Sequence, residues 1–297
     1  MHDYIISCCS TMDLTAEHMQ KRDIRYVCFQ YELGGKAYKD DLGVTMPLAK
    51  FYEAMEEGQD TKTSQVSMSQ YLDYFDELLR EGKDVLHIAF SSGLSGSYNT
   101  ALVAGQQIKE KYPDRKLIIL DSLAASSGYG LLMDKVADLR DEGMDIDTLA
   151  RWVEDNKLRV NHWFFSTTLK YYIRGGRVSR TAGFFGGILG ICPLLTVDKE
   201  GHLIPKEKIR TKKKVIQETC DKMLELADDG ANYADKCYIS HSHCAEDAEA
   251  LKELVEKTFP ALSGKVLVNE IGTIVGSHSG PGTVALFFFG KDRSKQG

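Results

Sequence analysis

No surplus of positive charge runs through this sequence: 37 Lys and Arg stand against 43 Asp and Glu, a net charge of −6 over 297 residues. Such a chain has no global field drawing it to nucleic acid or to anionic lipid, so any basic site must be local. Nor is there a long apolar run. The most membrane-like stretch, Ala182 to Cys192 (AGFFGGILGIC), falls far short of the roughly 20 residues that span a bilayer. The first residues, Met-His-Asp-Tyr-Ile-Ile-Ser, show no basic segment followed by a long apolar one, so no signal peptide is expected. The cysteines number 7 and are irregularly spaced, which points to reduced thiols in a cytosol rather than to a disulfide framework. Internal repeats, low-complexity tracts and a disordered linker are lacking too, as is the G-x-x-x-x-G-K-[ST] loop that cradles nucleotide phosphates.

What is there is a globular chain, 43% hydrophobic, of a length that suits two domains or one large one. Its first half alternates short apolar runs with amphipathic stretches: YIISCC, TMPLAKFYEAMEEG, SMSQYLDYFDELLREG, VLHIAF, a helix to Lys111, KLIILD and a helix after Asp121. Thr45, with Pro47 just inside, is expected to open one helix that Gly58 closes. Ser67 and Gln70 have capping-box spacing for the next, which Gly82 ends. The segment RYVCFQYELGGKAYKD, with Gly34-Gly35 between apolar runs, reads as a hairpin. From about residue 160 the pattern changes to HWFFST, a hairpin around Gly201, a long helix, KCYISHSH, another helix, KVLVNEIG and VALFFFG. The expected fold is α/β in two domains: residues 1–160 with a mainly parallel sheet, and 161–297 with a mixed or mostly antiparallel one.

Chemistry is expected where strand gives way to helix in HIAFSSGLSGSYNT, residues 87–100. Gly93-Leu94-Ser95-Gly96-Ser97 comes close to the G-x-S-x-G nucleophile elbow but fails at its last position. A serine hydrolase using Ser95 would also need an acid and a histidine downstream. Asp121 and His278 can be named, yet 8 histidines and 43 acids make such pairs easy to find by chance. One helix cap needs a single hydroxyl, whereas Ser91, Ser92, Ser95 and Ser97 crowd around Gly93 and Gly96. A crevice at strand ends facing a helix N-terminus suits a carboxylate or phosphate.

A second hydroxyl-rich stretch, Thr61-Lys62-Thr63-Ser64-Gln65, reads either as a polar loop with a cap or as part of a site at the helix that Ser67 begins. In Gly276-Ser277-His278-Ser279-Gly280-Pro281-Gly282 the glycines and proline are expected to hold an unusual backbone around one histidine, more than a surface turn requires. In His241-Ser242-His243-Cys244 the histidines would share one face of a strand, but no matching pair completes a tetrahedral metal set, so no metal is expected. Vicinal Cys8-Cys9 reads as small buried core rather than as a redox pair. Basic residues gather at Arg174, Arg177 and Arg180, and again at Arg210 and Lys212 to Lys214, where they are either solvated surface or a place for an anionic partner. The apolar, glycine-rich Thr181 to Leu195 either lines a tunnel for an aliphatic chain or fills a core.

Taken in order, these stretches resemble the DegV family, whose members bind long-chain fatty acids and include the fatty-acid-binding subunits of bacterial fatty acid kinase. The resemblance is carried by Cys9-Ser10 through Asp13-Leu14, Thr63-Ser64-Gln65, Ser91-Ser92-Gly93-Leu94-Ser95-Gly96-Ser97-Tyr98, Asp121-Ser122, Gly175-Gly176-Arg177-Val178, Arg210 with the lysines after it, and His278-Ser279-Gly280-Pro281-Gly282. It implies two α/β domains that bury a long-chain fatty acid between or within them. Thr63 and Ser95 would bind its carboxylate, with His278 close by, and Arg174, Arg177 and Arg210 are candidates for docking a partner. The implied protein is a cytoplasmic bacterial carrier without catalytic machinery or cofactor, serving phospholipid metabolism. A partner kinase would transfer a phosphoryl group from ATP to the bound carboxylate; nucleic acid is no partner, and contact with a membrane would be transient. One departure stands out: the family's usual Asp-Ser after the first strand reads Cys9-Ser10 here.

Overall fold

The computed structural model describes residues 3–179 and 190–296. Arg180 and most of the apolar Thr181 to Leu195 stretch lie outside the described residues. In chain order the strands are β1 (Tyr4–Cys9), β2 (Ile24–Val27), β3 (Gln30–Leu33), β4 (Lys36–Lys39), β5 (Thr61–Ser64), β6 (Asp84–Ala89), β7 (Leu117–Asp121), β8 (Val160–Ser166), β9 (Ile191–Val197), β10 (Leu203–Arg210), β11 (Cys237–His241), β12 (Leu267–Glu270) and β13 (Thr283–Phe289). The helices are α1 (Ala16–Lys21), α2 (Leu48–Glu56), α3 (Met68–Arg80), α4 (Ser97–Lys109), α5 (Ser126–Asp141), α6 (Ile146–Asn156), α7 (Lys170–Arg174), α8 (Lys212–Leu226), α9 (Ala245–Thr258) and α10 (Thr273–Ser279).

The expected α/β architecture is present. The N-terminal part holds a sheet of order β2-β1-β6-β7, parallel throughout. Its central β1 is buried at every position, as a strand covered on both faces must be. The C-terminal part holds a sheet of order β10-β9-β8-β13-β11-β12, in which only β11 and β12 run parallel. The capping box at Ser67 forms as the spacing predicts, with Gln70 N–H donating to Ser67 Oγ and Gln70 Oε1 accepting from Ser67 N–H.

Three local expectations are corrected. The segment read as one hairpin divides. Arg25 to Val27 join the parallel sheet as β2, and only β3 and β4 pair across Gly34-Gly35, whose φ values of +57° and +82° suit a tight hairpin turn. Thr45 does not open α2; its N–H and hydroxyl bond Asp41, and Pro47 itself occupies the cap position. Thr61 to Ser64 is a strand rather than a loop, because β5 finds a partner about thirty residues upstream in β3.

Helix α5 joins the two sheets and is buried over most of its length. At Gly128 a Cβ would lie 2.4 Å from His162 Nε2 and 2.6 Å from the Phe287 ring; at Gly130 it would lie 2.5 Å from the Met12 carbonyl oxygen. Both approaches require glycine. Further along α5, Asp134 accepts from Tyr238 at 2.6 Å and faces His18, Arg22 and Lys236. Burial opposes its ionisation, but the bonds from His18, Lys236 and Tyr238 prevail and hold it well below the usual carboxylate range. A second junction lies at the β9–β10 turn. Ser91 Oγ donates to the Gly201 carbonyl at 2.9 Å, and a Cβ on Gly93 would meet the Glu200 carbonyl oxygen at 2.6 Å. Buried Arg293 donates to the carbonyls of Val197, Asp198 and Leu123, tying this turn to the end of β7.

Candidate functional site

After β6 the chain turns sharply, and its polar groups are spent on holding that turn. Leu94 and Ser95 N–H both reach the Ser91 carbonyl, at 3.1 and 3.2 Å, and Asp121 Oδ1 accepts from Ser92 N–H at 3.1 Å and Leu123 N–H at 3.0 Å. Gly96 is the cap residue of α4, and Ser95 Oγ accepts the Ser97 N–H at 3.2 Å. With a backbone donor on its lone pair, the Ser95 hydroxyl keeps its proton for another acceptor.

Thr63 reaches the same place from β5. Its Oγ1 lies 2.7 Å from His278 Nε2. That histidine sits in the last turn of α10, so the irregular backbone expected around it begins only after it, at Gly280 and Gly282 with φ of +68° and +84°. Burial lowers the His278 pKa to about 4, with the Arg177 and Arg174 charges acting in the same sense, so the ring is neutral at physiological pH. Its Nδ1 is buried and has no hydrogen-bond partner among the described residues, and a Cβ on Gly175 would come within 2.1 Å of that atom. Glycine at 175 therefore lets the end of α7 close onto the histidine.

Thr63, Ser95, His278 and Arg177 meet one side of a cavity of about 340 Å³. Elsewhere its wall is Phe29, Phe90, Phe164, Leu203, Ile274 and Phe287, an apolar surface drawn from the C-terminal sheet, from α10 and from the segments just after β2 and β6. Other polar lining groups are engaged within the protein: Ser126 donates to Asp13, Tyr172 OH lies 3.1 Å from Thr283 Oγ1, and His162 Nε2 accepts from Ala125 N–H at 3.3 Å. A second cavity of about 390 Å³ shares Thr63, Arg177 and His278 with the first and adds Asp60, Lys62 and Arg174.

Arg177 is placed differently from an outward docking residue. Its guanidinium donates to the Leu94 carbonyl at 3.1 and 3.2 Å and to the Gly175 carbonyl, and among the described residues no carboxylate pairs with it. Burial alone pulls its pKa down. The sequence carried one sign of this role, the Gly175-Gly176 pair that frees the chain to turn inward. Arg174 lies at the outer cavity, bonded to Asp60 at 2.9 Å and to Thr61 Oγ1 at 3.1 Å. Arg210 is exposed at the end of β10, away from Leu203 at the cavity.

The hydrolase constellation does not assemble. Asp121 is held by backbone N–H groups, His278 faces Thr63, and among the described residues no hydrogen bond joins Ser95 Oγ to a histidine. Nor do His241 and His243 share a strand face, because β11 ends at His241 and His243 turns away with φ of +54° to stack on Tyr52. Among the described residues the one group with metal-ligand proximity is Asp198, Glu200 and His202, in the solvent-facing β9–β10 turn. Cys8 and Cys9 are buried free thiols whose pKa values burial pushes up, so the core reading holds for both. Sequence reading missed Phe29 and Phe164 as lining, and also Asp13. The Asp13 carboxyl, pushed up to about 8 by burial, accepts from Ser126 Oγ and, at 3.0 Å, from Gly272 N–H just before α10.

Among the described residues no helix is long and apolar enough to cross a membrane. The family model described as "uncharacterised protein, DegV family" matches residues 6–291. A DegV domain-containing protein of Clostridium perfringens is 36% identical over 293 residues, covering 98% of each chain. A fatty-acid-binding DegV family protein from Thermus thermophilus superposes with a TM-score of 0.84 at 27% identity, over 98% of this chain and 100% of that one. The Streptococcus pneumoniae fatty acid kinase (Fak) B3 protein, loaded with linoleic acid, shares the fold with a TM-score of 0.81 at 21% identity, over 98% of this chain and 100% of its own.

Proposed function

The chain belongs to the DegV family, and from that premise we propose that it binds a long-chain fatty acid, with the acyl tail in the inner cavity and the carboxylate at Thr63 and Ser95. The observation that carries this is the cavity itself: an aromatic and aliphatic wall with two hydroxyls, a neutral histidine and a guanidinium gathered on one side. The Ser95 hydroxyl donates to the carboxylate. With His278 Nε2–H donating to Thr63 Oγ1, the Thr63 proton is likewise directed at the ligand. Arg177, which lacks a carboxylate partner among the described residues, supplies the counter-charge, and His278 orients the head group. Each buried methylene adds roughly 0.8 kcal/mol, so the tail provides most of the affinity. The fatty-acid-binding relative from Thermus thermophilus supports the ligand class.

The finer proposals follow from the same site. The protein is a cytoplasmic carrier without catalytic machinery of its own, and a partner kinase phosphorylates the carboxylate that it presents. Arg174 and Arg210, both exposed, are where that partner docks; the likeness to the Fak B3 protein supports looking for it. The division into two halves is put at 160/161, one residue into β8. Native mass spectrometry of the purified protein tests the central proposal. A co-purifying fatty acid is expected, or uptake of added palmitate or oleate; a protein that carries no lipid and takes up neither overturns it. A serine-reactive phosphonate should leave Ser95 unlabelled.

A further inference from the structure

Beneath Ser95 lies a buried polar chain that does not line the cavity. Tyr71, on α3, is fully buried, its ring stacked on Phe75 and edge-on to His87. Its hydroxyl lies 2.8 Å from Ser97 Oγ and 3.4 Å from Cys9 Sγ. Ser97, also fully buried, is the first residue of α4, and its N–H is the group that donates to Ser95 Oγ. The Cys9 end is fixed in turn: Cys9 N–H donates to Tyr129 OH at 2.9 Å, and that hydroxyl donates to the Ile88 carbonyl.

We infer that Tyr71 is a positioning residue for the carboxylate site, acting on Ser95 through Ser97. This rests on the reading of Ser95 as a carboxylate ligand. The cap residue before α4 is Gly96, which has no side chain to cap the first turn, so the register of the Ser97 N–H is set by what holds Ser97. On one side the Tyr71 hydroxyl holds it to the parallel sheet. On the other, Gln65 presses against Gly96, where a Cβ would lie 2.6 Å from Gln65 Oε1. The Ser97 N–H in turn fixes the Ser95 lone pair and so the direction in which its proton points. A hydrogen bond to a charged acceptor weakens steeply when its angle opens, whereas apolar contact along a tail tolerates such a shift. Loss of the Tyr71 hydroxyl should therefore be felt at the head group and not along the acyl chain. The same geometry gives Cys9 a use without thiol chemistry, as the buried neighbour that steadies the tyrosine hydroxyl.

The test compares palmitate with hexadecanol, which has the same tail and no charge, by titration into wild type, Tyr71→Phe, Ser95→Ala and the double variant. Tyr71→Phe should weaken palmitate roughly three- to tenfold and hexadecanol by less than about twofold. In the Ser95→Ala background Tyr71→Phe should cost palmitate nothing further, since the two act through one bond. Equal losses for both ligands, or a loss undiminished without Ser95, would show that Tyr71 is merely structural and overturn the inference. If Ser95→Ala weakens palmitate and Tyr71→Phe does not, the inference alone fails. If Ser95→Ala leaves palmitate unchanged, the head-group reading fails and takes the inference with it. Should Tyr71→Phe not fold, Ser97→Ala removes the same link from its other side and is expected to give the same pattern.

Discussion

Two sets of polar side chains face one cavity and behave oppositely. Ser126, His162, Tyr172 and Thr283 are bonded to the protein and present to the interior little beyond their carbon atoms. Thr63 and Ser95 keep a hydroxyl proton in reserve, Arg177 carries a guanidinium that no carboxylate pairs among the described residues, and His278 turns its Nε2 to Thr63 while Gly175 closes over its Nδ1. A lining is polar to its ligand only where its hydrogen-bonding capacity is left over, so composition alone misstates what the ligand meets.

The largest effect should come from removing the contrast by filling the space. Ala285 on β13 lines the cavity, and Ala285→Phe should displace several methylenes of the tail and weaken palmitate by about a hundredfold or more at roughly 0.8 kcal/mol each. Next, Ser95→Ala or Thr63→Val removes a donor from the reserved set. At roughly 1.5–3 kcal/mol for a bond to a charged group, either should cost palmitate about tenfold or more, while hexadecanol, titrated in parallel, changes little. If both hydroxyl variants hold palmitate at wild-type affinity, the carboxylate lies elsewhere and the two sets are not distinct in kind.

The two sets also carry opposite pH signatures. Burial and two arginines depress His278 to about 4, so the folded state resists a proton that the unfolded chain accepts near 6.5. Its contribution is present above pH 6.5 and lost as pH falls toward 4, and His278→Gln should flatten that loss of melting temperature. Asp13, behind Ser126, is raised to about 8 from the ordinary 3.8. Its contribution is complete below 3.8 and lost as pH rises through 8, so Asp13→Asn should raise the melting temperature at pH 9 by roughly 2–4 °C for each kcal/mol recovered, and do nothing at pH 3. The smallest effect belongs to the exposed basic residues. Arg210→Gln should leave palmitate affinity within about twofold and, on the proposed kinase partnership, be seen only in slower acyl phosphate formation with that kinase and ATP.

How far the sequence speaks follows from how local each signal is. The apolar runs and caps announced both sheets, and Ser67 with Gln70 capped α3 as written, because those preferences are settled within a few residues. Thr61 to Ser64 carried no such signal. Its polar residues become a strand only because β3 lies alongside, and that same pairing aims Thr63 at His278. Arg177 read as solvated surface or as a place for an anionic partner, because nothing adjacent in sequence reveals that Leu94, far back in the chain, offers it a carbonyl. Cys9 read correctly as core, but the tyrosine resting against it became visible only once α3 and β1 were side by side.

Helix α5 has a consequence for folding. With Gly128 against β8 and β13, Gly130 against the turn after β1, and Asp134 bonded to side chains from both halves, its burial is shared between the sheets. A chain cut at residue 160 would keep this helix but strip it of β8, β11 and β13, which now pack against it. The halves are separate in topology yet cooperative in energy: neither can melt and leave α5 satisfied, so heat should unfold the chain in one transition rather than two.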